Sequence, residues 1–536
     1  MMEAIFLFLF ATVSVLYFGS FGFVPYDFSF FIDIAWRILN GQVLYKDIGN
    51  VTSGPLIYYL QAFFFKIFGV HAFSVLIHAA LVNGVVTLLV YFYFSRFLQR
   101  PWPLVVSLIT AIFFYGVLGW AWMERPTYFF ALLSFLLWDL MGQGKIRRVS
   151  GALFGIGFLT GLSFWDKQSI ASVLTIVQIG LVYFWIHEQK ISWRYLEYFL
   201  LGLLVPWLIL LVLLYGTGSL QSFYSEYFVR ALGLKRAHYF WDKLLKQVVF
   251  WPILLNLLMG FGAFQITRNK KITGMHPRVC RAPHTTGRQG ESTHNGLSPE
   301  GGLTESWRAT LILAAALFQA LNAPLTSMPY LGDVPLSGLG IGWFLSLCPP
   351  LRTSRKILFS IRYPMVGAVC LLFLGFGFYS MEERGVWQFI FGQNSFSQIL
   401  HPFFAGFQIQ QPYGEELDRL LSWLKKNLKE GEDFWMFPNQ VVAYAALTQV
   451  STAPLVTMEV KTLRPEDDAT LRDWLEKKPP TYLILEKRNT QSILAHSPLL
   501  ILSTLPSVQE FMELHYRQDQ LFPGYEIYKW VENSEK

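Results

Sequence analysis

Asp27, Asp33 and Asp47 stand within PYDFSFFIDIAWRILNGQVLYKDIGNVTSGP, residues 25–55, directly after the first apolar run of the chain. A carboxylate buried in lipid costs free energy, so each must meet water, a cavity or a partner. Carboxylates at a membrane's edge can orient or deprotonate a hydroxyl, provided that cations or a metal stabilise whatever group departs. Asp27 precedes a helical pattern and is therefore either such a base or the cap of the helix after it, since Asp is a favoured N-cap. Asp33, one and a half turns on, is expected to face water. Asp47, in the turn-like KDIGN, reads more readily as structural than as a second acid.

Further along, WMERP brings Glu124 and Arg125, either a second acid for the same cavity with its neighbour or an ion pair closed on itself. The turn WDKQ brings Asp166, Lys167 and Gln168, and YFVRALGLKRAHYFWDKLLK brings Arg230, Lys235, Arg236, His238, Lys243 and Lys246. Such cations suit an anionic partner, either a phosphate gripped by Lys167, Arg230, Lys235 and Arg236 or the headgroups of acidic lipids.

The elements that must position these residues are membrane helices. Of 536 residues, 53% are hydrophobic, 17% aromatic and only 15% charged, and the apolar residues come in runs. Spans are expected at 4–22, 72–94, 102–120, 126–141, 150–164, 169–186, 196–215, 247–267, 308–323, 334–350 and 363–380, about eleven in all, with nearly charge-free interiors. The first run lacks a basic leader and reads as a retained helix. Placing the N-terminus in the cytoplasm puts Arg96, Arg100, Lys145, Arg147, Arg148, Lys190, Arg194, Arg268, Lys270, Lys271, Arg352, Arg355 and Lys356 inside, as the positive-inside rule requires. The net charge of +7 is thus a matter of topology and not of nucleic-acid binding.

The same walk puts the acidic loop, Glu124, the 165–168 turn and the basic loop outside, together with everything after about residue 381. There GEELDRLLSWLKKNLKEG and PEDDATLRDWLEKK read as helices, and DFWMF, TYLILEK and YEIYKW as strands. The expected organisation is a transmembrane part over 1–381 and a soluble extracytoplasmic α/β domain over 382–536. Residues 268–306, rich in Gly, Pro, Thr and His, read as a disordered cytoplasmic loop. Its His276, His284 and His294 lack zinc-site spacing, and Cys280, Cys348 and Cys370 form no disulfide framework. The tripeptide Asn50-Val-Thr52 matches a glycosylation sequon but is common by chance.

Within residues 27–69, Phe30, Phe31, Ile34, Ile38 and Leu39 recur at helical spacing, and PLIYYLQAFFFKIFG follows as a second segment too short to span. Both suit helices lying in the membrane interface. The order Asp27, Ala35-Trp-Arg-Ile-Leu-Asn-Gly41, Leu44-Tyr-Lys-Asp47, Gly54-Pro-Leu-Ile-Tyr58, Phe68-Gly69 resembles the first outer loop of GT-C glycosyltransferases. It is most similar to the branch holding protein O-mannosyltransferases and lipid A aminoarabinose transferases. The resemblance implies that Asp27, as the leading acid, is catalytic. Phe28 stands where relatives often carry a second acid, and Gly54-Pro55 where many have Pro-Pro or Lys-Pro.

The function so implied is transfer of a sugar, with inversion, from a polyprenyl-phosphate donor to a lipid, glycan or protein acceptor at the outer face of a bacterial inner membrane. Membrane lipids are the other partners. No cofactor is required by the pattern, although a divalent cation, Mg or Mn, would suit the departing phosphate. The competing class is a transporter or flippase of lipid-linked glycans, which would place ionisable residues within its spans.

Overall fold

The structure is a computed structural model that describes residues 1–21, 25–116, 119, 124–146, 148–231, 251–273, 301–322, 329–347, 396–411, 413–437, 442–456, 463–487 and 502–531. The span expected at 363–380, all three cysteines, and His276, His284 and His294 lie outside the described residues.

The helical part runs α1 (Met2–Gly19), α2 (Pro25–Leu39), α3 (Leu56–Phe68), α4 (Ala72–Phe94), α5 (Trp102–Ala111), α6 (Arg125–Gly142), α7 (Val149–Ser163), α8 (Gln168–Gln189), α9 (Arg194–Gly216), α10 (Leu220–Phe223), α11 (Trp251–Thr273), α12 (Gly301–Asn322) and α13 (Pro329–Leu347). Two π-type stretches extend α5 through Ile112–Gly116 and α10 through Tyr224–Arg230. Helices α1, α4, α8 and α9 are long and apolar enough to cross a membrane, and Leu56–Phe68, Trp102–Tyr115, Val149–Ser163 and Leu336–Leu347 are shorter apolar segments. Helix α9 shows why: Leu204, Leu208, Val212 and Tyr215 stand exposed along it, as lipid-facing side chains do. Its other face meets α7, where a Cβ on Gly157 or Gly202 would lie 2.1 Å from a carbonyl oxygen of the facing helix, so the two backbones touch.

Two expectations are corrected here. The stretch 268–306 is helical at both ends, because α11 runs to Thr273 and α12 starts at Gly301. The helix interiors also hold a charge pair. Arg308 of α12 meets Asp139 of α6 at 3.0 Å, with Asp139 also taking bonds from Tyr93 and Gln143 and the guanidinium lying over Phe97. A buried pair of this kind is tolerated because each partner satisfies the other.

Beyond residue 396 the chain forms an α/β unit. A short hairpin, β1 (Phe396–Gln398) with β2 (Gln408–Gln410), precedes α14 (Tyr413–Asn427), β3 (Phe434–Phe437), α15 (Val442–Ala446), α16 (Pro465–Lys477), β4 (Tyr482–Glu486), α17 (Pro506–His515), β5 (Tyr516–Leu521) and β6 (Tyr525–Trp530). The four-stranded sheet has the order β3-β4-β6-β5, with β3 and β4 parallel and the other pairs antiparallel. Leu417, Leu420, Leu421 and Leu424 bury one stripe of α14. All five residues of β4 are buried, as befits a central strand.

Candidate active site

The turn between α7 and α8 is the hub of the site. Gly54 donates its amide to the Asp166 carbonyl at 2.6 Å and Leu56 donates to the Trp165 carbonyl at 2.8 Å, so the start of α3 is sewn to this turn. The approach is close enough to dictate the residue: a Cβ on Gly54 would lie 2.3 Å from the Trp165 carbonyl carbon. Gln168 extends the seam, donating from Nε2 to the carbonyls of Thr52, at 2.9 Å, and Tyr227, at 2.8 Å. One amide therefore ties the first loop to the segment before the basic loop.

Asp166 itself is buried. Its Oδ2 accepts from Thr127 N at 3.1 Å and Thr127 Oγ1 at 2.8 Å, which fixes the first turn of α6, while Oδ1 has no hydrogen-bond partner among the described residues. Burial pushes this carboxyl well above the usual carboxylate range, against the pull of the Thr127 donors and Lys167, and Glu124 pushes it further. Glu124 lies buried at the head of α6, and Arg125 beside it spreads its guanidinium 5.8 Å from the Phe114 and Tyr115 rings. Lys167 is half-buried at the head of α8.

The first loop is held just as tightly. Tyr45, at a φ of 69°, donates to the Ser53 carbonyl at 2.7 Å, and Ser53 Oγ lies 2.6 Å from Tyr58 Oη. Asp47 is exposed, and its Oδ2 accepts from Val43 N at 2.7 Å, closing the turn as expected of a structural residue. Asn50 is 5% exposed, which leaves no room for a glycan on the sequon.

Helix α2 begins at Pro25, so Asp27 lies inside its first turn and does not stand as its N-cap. The Asp27 side chain is outside the described residues, as are Lys235 and Arg236. Asp33 corrects the expectation of a water-facing acid: it is 0% exposed, and the helix polar stripe Ser29, Asp33, Arg37 faces the C-terminal unit. Ser29 Oγ accepts from Val442 N at 2.7 Å, and Trp36 Nε1 donates to the Gln449 carbonyl at 2.6 Å. The partners of this stripe come more than 400 residues later in sequence, so no local pattern could have shown them. Burial raises the Asp33 carboxyl to about 7, partly offset by Arg37.

Arg230 ends the π-type stretch and is 4% exposed. It donates to Asp467 through Nη1 at 2.7 Å and Nη2 at 2.8 Å and to Glu226 through Nη2 at 3.2 Å, with Nε also lying 2.7 Å from Glu226 Oε2 as an ion pair. Its charge is thus balanced by two carboxylates, with which any phosphate would have to compete. Burial raises the Glu226 carboxyl, and Arg230 draws it back. Among the described residues no group of three or more His, Cys, Asp or Glu side chains gathers as a metal-binding set.

Helix α2, the loop to α3, the head of α6, the 165–168 turn, the 224–230 stretch and the C-terminal unit therefore meet on one side of the bundle. The model of the dolichyl-phosphate-mannose-protein mannosyltransferase family matches residues 52–216, from the Thr52 seam to the end of α9. Among solved structures, ArnT from Cupriavidus metallidurans bound to undecaprenyl phosphate is similar at a TM-score of 0.51 and 12% identity, over 99% of this chain and 98% of that one. The chain has the GT-C fold. No curated protein sequence matches it. As a GT-C fold it is an integral membrane protein, polytopic and mainly helical.

Proposed function

We propose that this protein is a glycosyltransferase that moves a sugar from a polyprenyl-phosphate donor to a hydroxyl of a lipid, glycan or protein acceptor, with inversion. The observation that carries the reading is the convergence at the Asp166 turn: Gly54 of the first loop and Thr127 of α6 bond to Asp166, and Gln168 bonds to the segment leading to the basic loop, so that Glu124 and Lys167 stand on elements joined at one place. That assembly suits a donor whose lipid tail stays in the bilayer while its head sits at the rim. The extracytoplasmic side of a bacterial inner membrane is the face that the charge distribution favours.

In this reading Asp27 takes the proton of the acceptor hydroxyl as its oxygen bonds to the anomeric carbon. The bond from that carbon to the phosphate oxygen breaks on the opposite face, and polyprenyl phosphate leaves with the electron pair. Lys167, Lys235 and Arg236 are the cations assigned to the leaving phosphate, where charge-assisted bonds act most strongly in a site shielded from water. Glu124 is assigned as a second acid that shapes the acceptor side. Asp47, already closing its own turn, is assigned to structure. A divalent cation, if bound, would supplement these cations by stabilising the charge on the leaving phosphate; among the described residues no group of three or more His, Cys, Asp or Glu side chains gathers to hold one.

The test is incubation of the purified protein with a panel of undecaprenyl-phosphate-linked sugars, with release of undecaprenyl phosphate as readout. Release from at least one donor, lost in Asp27→Asn, is the expected result. Transport of such lipids across vesicles without any release would instead establish the flippase reading.

A further inference from the structure

Arg37 is a buried cation with no evident task in the transfer reaction, yet three separate parts of the chain converge on it. Its Nε donates to Gln42 Oε1 at 2.6 Å, and its Nη2 donates to two carbonyls, Asp47 O and Ala453 O, each at 2.8 Å. It is 1% exposed. Asp33, one turn earlier on α2, lies 3.8 Å away, and neither of its oxygens nor Arg37 Nη1 has a hydrogen-bond partner among the described residues. The guanidinium is thus held by directed bonds to the turn after α2 and to the C-terminal unit, with Asp33 supplying charge without a bond.

The contacts around it repeat the pattern. Gln42, which receives Arg37 Nε, donates from its own Nε2 to the Ser451 carbonyl at 2.8 Å. Gly49 donates its amide to the Pro454 carbonyl at 2.7 Å. Residues 449–456 thus run along α2 and the first loop as a strap, and Arg37 is the side chain that reaches helix, turn and strap at once. A planar fork with fixed donor directions can set the angle between the elements it joins, which a flexible lysine cannot.

We propose that Arg37 is a positioning residue through which docking of the C-terminal strap sets the pose of α2, and with it the pose of Asp27 at the head of that helix. This rests on the reading of Asp27 as the base. The C-terminal unit is then part of the catalytic geometry and not only a platform for acceptors. A misplacement of about 1 Å in a reacting group can cost about a hundredfold in rate.

The experiment uses the full chain in detergent, with Arg37→Lys, Gln42→Ala and Asp27→Asn compared to the parent. Three quantities are read: hydrogen exchange at the Gly49 and Gly54 amides, affinity for undecaprenyl phosphate, and kcat for release of undecaprenyl phosphate. In Arg37→Lys the Gly49 amide should lose protection while Gly54, bonded to Asp166 on the bundle side, keeps it. The kcat should fall about 10- to 100-fold with undecaprenyl phosphate affinity within about twofold. Gln42→Ala, at a half-exposed position, should shift the same readouts in the same direction by a smaller factor, with a thermal melt to check its fold. Loss of Gly49 protection with kcat unchanged in either variant would overturn the proposal, as would retained protection in both. The Asp27→Asn arm is judged alone: normal turnover there defeats the reading of Asp27 as the base, whatever Arg37 does.

Discussion

Arg230 and Asp467, 237 residues apart in sequence, face each other through two parallel bonds of 2.7 and 2.8 Å, with both side chains 4% exposed. This pair fastens α16 of the C-terminal unit to the π-type stretch of the bundle. Breaking a buried pair by removing one partner costs about 3–5 kcal/mol, because it strands the other charge. Asp467→Asn and Arg230→Gln should both make the C-terminal unit more sensitive to limited proteolysis, with undecaprenyl phosphate affinity unchanged. An affinity loss of about tenfold or more in Arg230→Gln alone would return Arg230 to the phosphate.

Asp27→Asn should lower turnover by roughly a hundredfold to ten-thousandfold, the usual effect of losing a general base. The fold should survive, since the amide keeps the size of the side chain. Asp47→Asn is the contrasting variant, because its carboxylate closes a turn at Val43. Turnover measured on both, beside a folding check, decides the assignment, and collapse in the Asp47 variant alone would transfer it there.

Gly54→Ala is expected to be severe for its size. The added methyl would meet the Trp165 and Asp166 backbone at 2.3 to 2.6 Å, where nothing flexible can yield. Overpacking of this kind costs about 1–3 kcal/mol. It should also pull α3 off the turn that holds Lys167, so a lower melting temperature and weaker undecaprenyl phosphate binding should appear together.

Asp33 predicts a pH dependence with a definite sign. Its folded value of about 7 lies above the ordinary 3.8, so its contribution to stability is full below about pH 4 and is lost as pH rises toward 7. The groups that act on this seam are Arg37, Tyr444 and Asp47, of which Arg37 opposes the shift. Relative to Asp33→Asn, the parent should therefore lose stability between pH 5 and pH 8, by ~1–4 kcal/mol. Parallel thermal melts of the two proteins across that range measure it, and a constant difference would refute it.

How much was legible beforehand depended on how far apart the partners lie. The period of Phe30, Phe31, Ile34 and Ile38 marks α2, and Leu417, Leu420, Leu421 and Leu424 mark α14, because helix faces are written at intervals of three and four. The fate of the polar face of α2 was not legible, since Val442, Gln449 and Ala453 cover it from the far end of the chain. Asp139 and Arg308 each look like a stray charge until α6 and α12 are set side by side. Strand β5, Tyr516–Leu521, is exposed along all but its first residue, so it lacks the alternation that marks a strand from sequence. Among candidate site residues, Glu124 and Asp166 could be found as charges in short gaps between apolar runs, whereas the role of Gln168 as a tie between loops needed the fold.

The bond from Arg37 to Ala453 spans 416 residues, and it fixes an order of events during biosynthesis. At elongation rates of about 5–20 residues per second, the strap leaves the ribosome tens of seconds after α2 has reached the membrane. During that interval the guanidinium and its helix must stay wet, because no protein partner for the Nη2 fork on the strap side yet exists. A nascent chain caught before residue 449 would carry its proposed base on a helix with one polar flank open to water. If Arg37 positions the base as proposed, an unfinished chain lacks the contact that sets it, and the geometry for transfer is complete only once residues 449–456 have closed over the first loop.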